Sequence, residues 1–206
     1  MRRRVDAKEA AVEDVDDRDD VDDVDDCNDV DDCIEMVELP TTLRSGGEVE
    51  MQRSFIEFYR AVLLRKCAGL TVDQLRLTRA PSTMSLGGLL YHCAFAEDWW
   101  WVHRFLGEPV PEPWDKADWD ADPDWEWTLA ASLSAREIAA QYTVSARRVD
   151  AAMDTITSGS QMAALVDERG VGWDARRILT HIVEELARHA GHADLLREWI
   201  DGRTGD

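Results

Sequence analysis

The chain has 206 residues, enough for one domain with an appendage, and a formal net charge of −20. Residues 1–50 contribute −13 of this charge, because they carry 19 acidic and 6 basic side chains. This composition argues against nucleic acid and anionic membranes as partners, because both are bound through Lys and Arg clusters that the sequence lacks. The longest apolar stretch, residues 86–96, is too short to cross a bilayer, and no apolar segment follows the basic first residues, so the sequence predicts a cytoplasmic protein. Its four cysteines are then expected to be free thiols: Cys27, Cys33, Cys67 and Cys93.

The first part of the chain is an acidic, low-complexity segment. Val-Asp-Asp recurs between Val15 and Asp32, and such a run cannot bury enough apolar surface to offset the entropy lost on ordering. We therefore predict a disordered acidic tail over residues 1–42 and a folded domain over residues 43–206. A solvated tail is the simplest interpretation, and weak cation binding or docking to a basic partner are alternatives, although the residue spacing of an EF-hand loop is missing.

Apolar residues at three- and four-residue intervals predict two helices in the first half of the domain. The first extends from Met51 to about Gly69, and the second begins at Leu86 and ends near Phe105. Residues 107–133 then hold four prolines and four tryptophans among many acidic residues. A connection of this length is uncommon unless it has a function, so we expect it to line or cover a site.

Two further helices are predicted in the second half. Ser134 and the glutamate three residues later form a capping box that begins a helix ending near Thr157. Asp174 is a suitable N-cap for a last helix, which ends near Gly202. No strand is predicted, and residues 164–173 are the only doubtful stretch. Four helices with one apolar face each must bury those faces against one another, so the predicted fold is an all-α four-helix bundle.

The last helix carries the most informative pattern. At about 100° per residue, Glu185 lies about 40° and His189 about 80° from His181 around the helix, and His192 lies about 20° from it. His189 therefore points toward the apolar face and Glu185 flanks it one turn earlier. Side chains separated by four residues share a face and can bind one ion. The alternative is a polar helix edge on which the two residues are merely paired.

A third ligand has to come from another helix, and His92 is the best candidate because it lies inside the apolar run of the second helix. A histidine there is either a core residue with a hydrogen-bond partner or a metal ligand. Two imidazoles with one carboxylate suit zinc, or another first-row divalent ion such as nickel. Three protein ligands leave one coordination position open, which is typical of catalytic sites.

The two segments that contain these residues, 85–101 and 174–202, resemble the DinB-like superfamily. They are most similar to its actinobacterial branch near the mycothiol-dependent maleylpyruvate isomerases, and the resemblance extends over about residues 43–205. It implies a four-helix bundle with a metal ligand on the second helix and a Glu-His pair, spaced by four, on the last. The matching positions are His92, Glu185 and His189.

The resemblance also implies a function. We expect a metal-dependent transferase or isomerase in which a low-molecular-weight thiol such as mycothiol attacks a small electrophile. His192 and His181 are the candidate catalytic residues, as groups that orient Glu185 or accept a proton, and Arg188 and Arg197 are the candidate cofactor-binding residues. The alternatives are a solvated helix face for the histidines and surface ion pairs for the arginines.

Two other interpretations remain open from the sequence. The first is a non-enzymatic, metal-binding or stress-related bundle, and the second is an acidic interaction protein that acts through its tail. The three adjacent tryptophans at residues 99–101 cannot all face one way. One of them is therefore available for contact with a second copy of the chain in a homodimer.

Overall fold

The structure is a computed structural model, and it describes residues 32–205. These residues form mainly helices. In chain order the elements are α1 (Glu48–Cys67), α2 (Val72–Arg76), α3 (Leu86–Asp98), a π-helix (Trp99–Phe105), a 3₁₀ turn (Trp114–Lys116), α4 (Trp125–Ala130), α5 (Ala135–Met153), β1 (Met162–Val166), β2 (Gly172–Asp174) and α6 (Ala175–Asp201).

The four long helices pack as the predicted bundle. α1 lies against α6, α3 lies against α5, and α3 also contacts α1 and α6. Their apolar faces meet in one continuous core, in which Ile56, Leu90, Val149 and Ile182 are fully buried. Burying one such side chain stabilises the fold by about 1.5–3 kcal/mol, so the shared core is the main reason these helices associate. The prediction of a four-helix bundle is confirmed.

The ends of the last two long helices follow the predicted capping residues. The Ser134 hydroxyl accepts a hydrogen bond from the backbone N–H of Glu137, whose carboxylate accepts one from the Ser134 backbone in return. Asp174 accepts from the backbone N–H of Arg177 at the start of α6. Gly202 ends α6 in the left-handed conformation, with φ of 75°, which glycine adopts without steric cost.

The structure differs from the prediction of no strand at the doubtful residues 164–173, where β1 and β2 pair as a short antiparallel hairpin. Met162 and Val166 on β1 are exposed although they are apolar, while Ala163 is buried. The strand therefore has apolar residues on both faces and lacks the polar–apolar alternation by which strands are recognised. The hairpin leads directly into α6 and does not alter the bundle.

Two buried polar clusters fix the helices and the long connection. The Arg60 guanidinium donates to Glu97 on α3 at 2.8 Å and to Asp150 on α5 at 2.6 Å, so it joins three helices. The Trp114 indole N–H donates at 2.8 Å to Asp98, which is fully buried at the end of α3. This second contact anchors residues 107–133 against the bundle. Pairing of this kind is necessary because an isolated buried charge is strongly destabilising.

The segment before α1 also belongs to the packed body. Ile34 lies in the core with 3% of its surface exposed, and its carbonyl accepts a hydrogen bond from the Gly69 backbone N–H. The predicted tail over residues 1–42 thus includes residues 32–42, which the structure packs against the bundle, while residues 1–31 lie outside the described part. The prediction of four free thiols is wrong at Cys33, which is disulfide-bonded, whereas Cys67 and Cys93 are free and buried.

Within residues 32–205, no helix combines the length and the apolar character that crossing a membrane requires.

Candidate metal centre

The three predicted ligands converge between two helices of the bundle. His92 comes from α3, and Glu185 and His189 come from α6. His189 Nε2 lies 3.1 Å from Glu185 Oε1, and His92 Nε2 lies 3.5 Å from the same oxygen. Ligand atoms of all three residues lie within 4.8 Å of one another. The imidazole rings meet edge to face with their centroids 5.1 Å apart.

α6 places two of the three residues by its own geometry. Glu185 and His189 are separated by four residues and therefore lie on the same face, one turn apart. His189 is buried beside Leu186 and Ala190, whereas Glu185 is partly exposed at the edge of the apolar face. The pair thus has one member inside the bundle and one at its boundary, as the helix angles predict.

His92 is held by the short helix α4, which lies in the connection predicted to line or cover a site. Glu126 Oε1 lies 2.8 Å from His92 Nδ1, and the indole of Trp127 stacks on the imidazole with centroids 5.1 Å apart. Because an ionised carboxylate can only accept, Nδ1 carries the hydrogen and Nε2 faces Glu185. Gly88, one turn before His92, makes room for the indole, since a Cβ there would lie 2.6 Å from Trp127 Cε3.

The electrostatics of the cluster follow from this arrangement. Burial disfavours the charged form of His92, but the hydrogen bonds to Glu126 and Glu185 outweigh burial and raise the pKa of His92 to about 9. Hydrogen bonds from His189 and His92 hold the pKa of Glu185 well below its usual value. At neutral pH the cluster therefore contains an ionised Glu185 carboxylate and a protonated His92, and the Nε2 atoms of His92 and His189 both point toward that carboxylate.

This donor set fits a divalent first-row cation. Two imidazole nitrogens and one carboxylate oxygen are a common ligand set for zinc, and their mutual distances allow one ion to reach all three. A carboxylate on the remote nitrogen of a histidine ligand, as Glu126 is on His92, is the usual outer contact that orients such a ligand. Glu126 is not recognisable from the sequence, since neither its spacing nor its neighbours distinguish it from the other acidic residues of the connection.

The two other predicted histidines lie beside the cluster. His192 Nδ1 is 3.4 Å from His189 Nδ1, and burial together with the neighbouring His189 lowers the pKa of His192. His181 is one turn before Glu185, with Nδ1 3.4 Å from Glu184 and its ring edge to face with Trp100. His192 thus contacts a candidate ligand directly, whereas His181 contacts Glu184 and Trp100 and places a ring nitrogen within 4.8 Å of a Glu185 carboxylate oxygen.

The two predicted arginines differ in position. Arg188 pairs with Glu184 and places NH1 3.3 Å from Glu185 Oε2, at the exposed edge of the cluster. Arg197 is 3% exposed, and its guanidinium donates to the carbonyls of Lys66 and Ala68 and pairs with Asp201. Its donors are thus used to join α6 to the end of α1, and the structure does not bring Arg197 to the cluster.

One family model and one solved structure are similar to this chain. The model of the mycothiol-S-transferase family matches residues 51–202. The crystal structure of a protein from Streptococcus pneumoniae, a structural genomics target, has a similar fold, with a TM-score of 0.54 and 16% identity over 76% of this chain and 92% of that chain. No curated protein matches the chain. The predicted DinB-like relationship is confirmed, and the chain belongs to the mycothiol-S-transferase family.

Proposed function

We propose that the protein is a divalent-metal-dependent S-transferase that joins the thiol of mycothiol to a small electrophile. The observation that carries this proposal is the convergence of His92 Nε2 and His189 Nε2 on one oxygen of Glu185. The family match supports the thiol and the reaction class. Isomerisation, the other reaction implied by the sequence resemblance, stays a prediction, because the name of the matched family refers only to transferase activity.

His92, Glu185 and His189 would hold the cation, with zinc or nickel as the ions that the donor set favours. When bound at such a site, the metal lowers the pKa of a coordinated thiol, so that the thiolate is available near neutral pH. Glu126 and Trp127 keep His92 in one orientation and one tautomer. Arg188, at the exposed edge, is the cationic group available to an anionic substrate.

The reaction itself needs few protein groups. The thiol loses its proton, its sulfur forms a bond to an electrophilic carbon, and the leaving group departs with the electron pair of its broken bond. We propose His192 as the group that accepts the thiol proton, because it is partly exposed next to His189 and because burial lowers its pKa, which favours the neutral imidazole over the charged form.

The first test is the metal content of the protein purified without a histidine tag and measured by mass spectrometry. We expect about one zinc or nickel ion per chain in the wild type and loss of that ion in His189→Gln. The matched control is His103→Gln, since His103 lies on the π-helix and bonds the Glu108 carbonyl instead. A wild-type protein that binds no metal even after reconstitution with zinc would refute the proposal.

The second test is the rate at which the metal-loaded protein conjugates mycothiol to 1-chloro-2,4-dinitrobenzene. We expect conjugation above the uncatalysed rate in the wild type and the His103→Gln control. His192→Gln should keep its metal and lose about 10²–10⁴-fold in rate if it accepts the proton. Normal metal content with no catalysis of any thiol conjugation would instead favour a non-enzymatic metal-binding bundle.

A further inference from the structure

A cavity of about 410 Å³ opens on the side of Trp127 and lies next to the candidate metal centre. This volume is within the range of about 300–1,000 Å³ that ligand pockets occupy. The cavity lies between the turn before α3 and the start of α4. Its lining residues are Ser82, Thr83, Met84, Asp124, Trp127 and Thr128.

The lining has a specific chemistry. Three residues carry hydroxyl groups, one carries a carboxylate, and Trp127 supplies a flat aromatic surface. Among the described residues, the side chains of Asp124, Thr83 and Thr128 form no hydrogen bond or ion pair. Asp124 precedes the first turn of α4 without capping it through its side chain. These polar groups are therefore available to a ligand and are not needed for the helix.

The charge of the lining restricts the ligand. Asp124 is the only charged residue of the cavity, so anionic ligands, including thiols with several carboxylates, are disfavoured. Hydroxyl groups of a ligand can both donate and accept, and they complement a carboxylate together with threonine and serine hydroxyls. The apolar face of a sugar ring packs on an aromatic side chain in the same way as other apolar groups do. The lining is thus complementary to an uncharged, polyhydroxylated ligand.

α4 connects this cavity to the candidate metal centre. Trp127 is shared, since it lines the cavity and also stacks on His92 at 5.1 Å between centroids. Its neighbour Glu126 bonds the same imidazole. A ligand in the cavity is therefore separated from His92 by the indole of Trp127. The sugar-complementary cavity and the candidate metal centre are thus adjacent, as recognition of a molecule with a thiol at one end and a sugar at the other would require.

We propose that this cavity binds the sugar portion of the thiol cofactor, with Trp127 as the stacking surface and Asp124 as the principal hydrogen-bond acceptor. The proposal rests on the proposed function for the identity of the ligand and adds a second contact region to it.

The test uses the thiol-free N-acetylglucosaminyl-inositol portion of mycothiol as the probe. It is titrated into the full-length, zinc-loaded protein, in which the nine tryptophans are replaced by 5-fluorotryptophan and followed by ¹⁹F NMR. The signal of Trp127 is assigned as the one that is missing in the Trp127→Phe variant. We expect a saturable shift of the Trp127 signal and none of Trp199, which is partly exposed on α6. Asp124→Ala should weaken binding about tenfold or more, as expected for loss of a hydrogen bond to a charged group.

The matched control is Asp73→Ala, because the Asp73 side chain is 92% exposed on α2 and does not line the cavity. It should bind the saccharide like the wild type. A Trp127 signal that does not move, or equal binding by Asp124→Ala and the wild type, overturns the proposal. These results are independent of catalysis: saccharide binding without thiol conjugation would refute only the proposed function, and conjugation without a Trp127 response would refute only the sugar site.

Discussion

His92 is held from two sides, and the two contacts act differently. Glu126 fixes the ring through a hydrogen bond to Nδ1, while Trp127 restricts it by stacking. Glu126 is 4% exposed, and its second carboxylate oxygen is buried without a partner among the described residues. Such a group is retained in a folded protein at a cost in stability, which is consistent with a role at a site.

Removal of Glu126 should therefore weaken metal binding more than it changes the fold. We expect Glu126→Ala to lower zinc affinity by about 10–100-fold, the usual effect of losing the outer carboxylate of a histidine ligand. Competition with a chromophoric chelator measures the affinity, and circular dichroism checks the fold. Glu112→Ala, on an exposed side chain of the same connection, is the control. Equal affinities in the two variants would show that Glu126 does not orient His92.

Cys67 should be inert although it is a free thiol. Burial raises its pKa to about 12, so the thiolate is scarce until the pH approaches that value. We expect no labelling of the Cys67 peptide by a thiol reagent at pH 8 in the native protein, and full labelling in urea. Peptide mass spectrometry distinguishes Cys67 from the other cysteines. Rapid labelling in the native state would mean that the end of α1 opens frequently.

At the scale of elements, α4 is the short helix on which the site depends. It has six residues and is not stable in isolation, because helices this short lack the hydrogen bonds that offset nucleation. Its position comes from packing: Trp127 lies over Gly88 on α3, and Trp114 anchors the preceding connection through Asp98. The glycine is thus required by the close approach of an indole to the helix.

Gly88→Ala should displace Trp127 and disturb both the cavity and His92. We expect a loss of about 1–3 kcal/mol in the free energy of unfolding, typical of overpacking, together with weaker zinc binding. The matched variant is Gly191→Ala on α6, where an added Cβ meets no atom within 4 Å. It should stabilise the protein by up to about 1 kcal/mol, because alanine is the better helix former. Urea denaturation compares the two, and a stabilised Gly88→Ala would contradict the packing described.

At the scale of the whole molecule, the ordered body extends beyond the bundle that the sequence predicts. Residues 32–42 precede α1 and contribute Ile34 to the core, and the Arg65 side chain donates to the Val37 carbonyl at 2.9 Å. The first residues of the described segment thus cover the junction between the end of α1 and α2. They shield apolar surface that the four helices leave exposed.

Ile34→Ala should consequently destabilise the whole domain. We expect a loss of about 2–4 kcal/mol in the free energy of unfolding, as for other isoleucine-to-alanine changes in cores. Met36→Ala, two residues later with 57% of its surface exposed, should change stability by no more than about 0.5 kcal/mol. Thermal and urea denaturation of the full-length chain measure both. No effect of Ile34→Ala would place the folding boundary at residue 43, as predicted from composition.

The sequence by itself determined the features that depend on local rules. Apolar periodicity located the long helices, and the capping residues Ser134 and Asp174 marked the beginnings of α5 and α6. The four-residue spacing of Glu185 and His189 placed them on one face, because helix geometry alone fixes that relation. The apolar surroundings of His92 singled it out as their partner from another helix.

Only the tertiary structure decided which side chains from separate elements meet at the site and in the core. The contacts of Glu126 and Trp127 with His92, the burial of Ile34 and the engagement of Arg197 at the far end of α6 each depend on how separate elements pack. No local pattern encodes such contacts, since an acidic residue in an acidic connection or an arginine on a helix looks the same in sequence whether it faces a site, the core or solvent. The energy that selects among these outcomes comes from burial and pairing across the chain, which exist only in the folded protein.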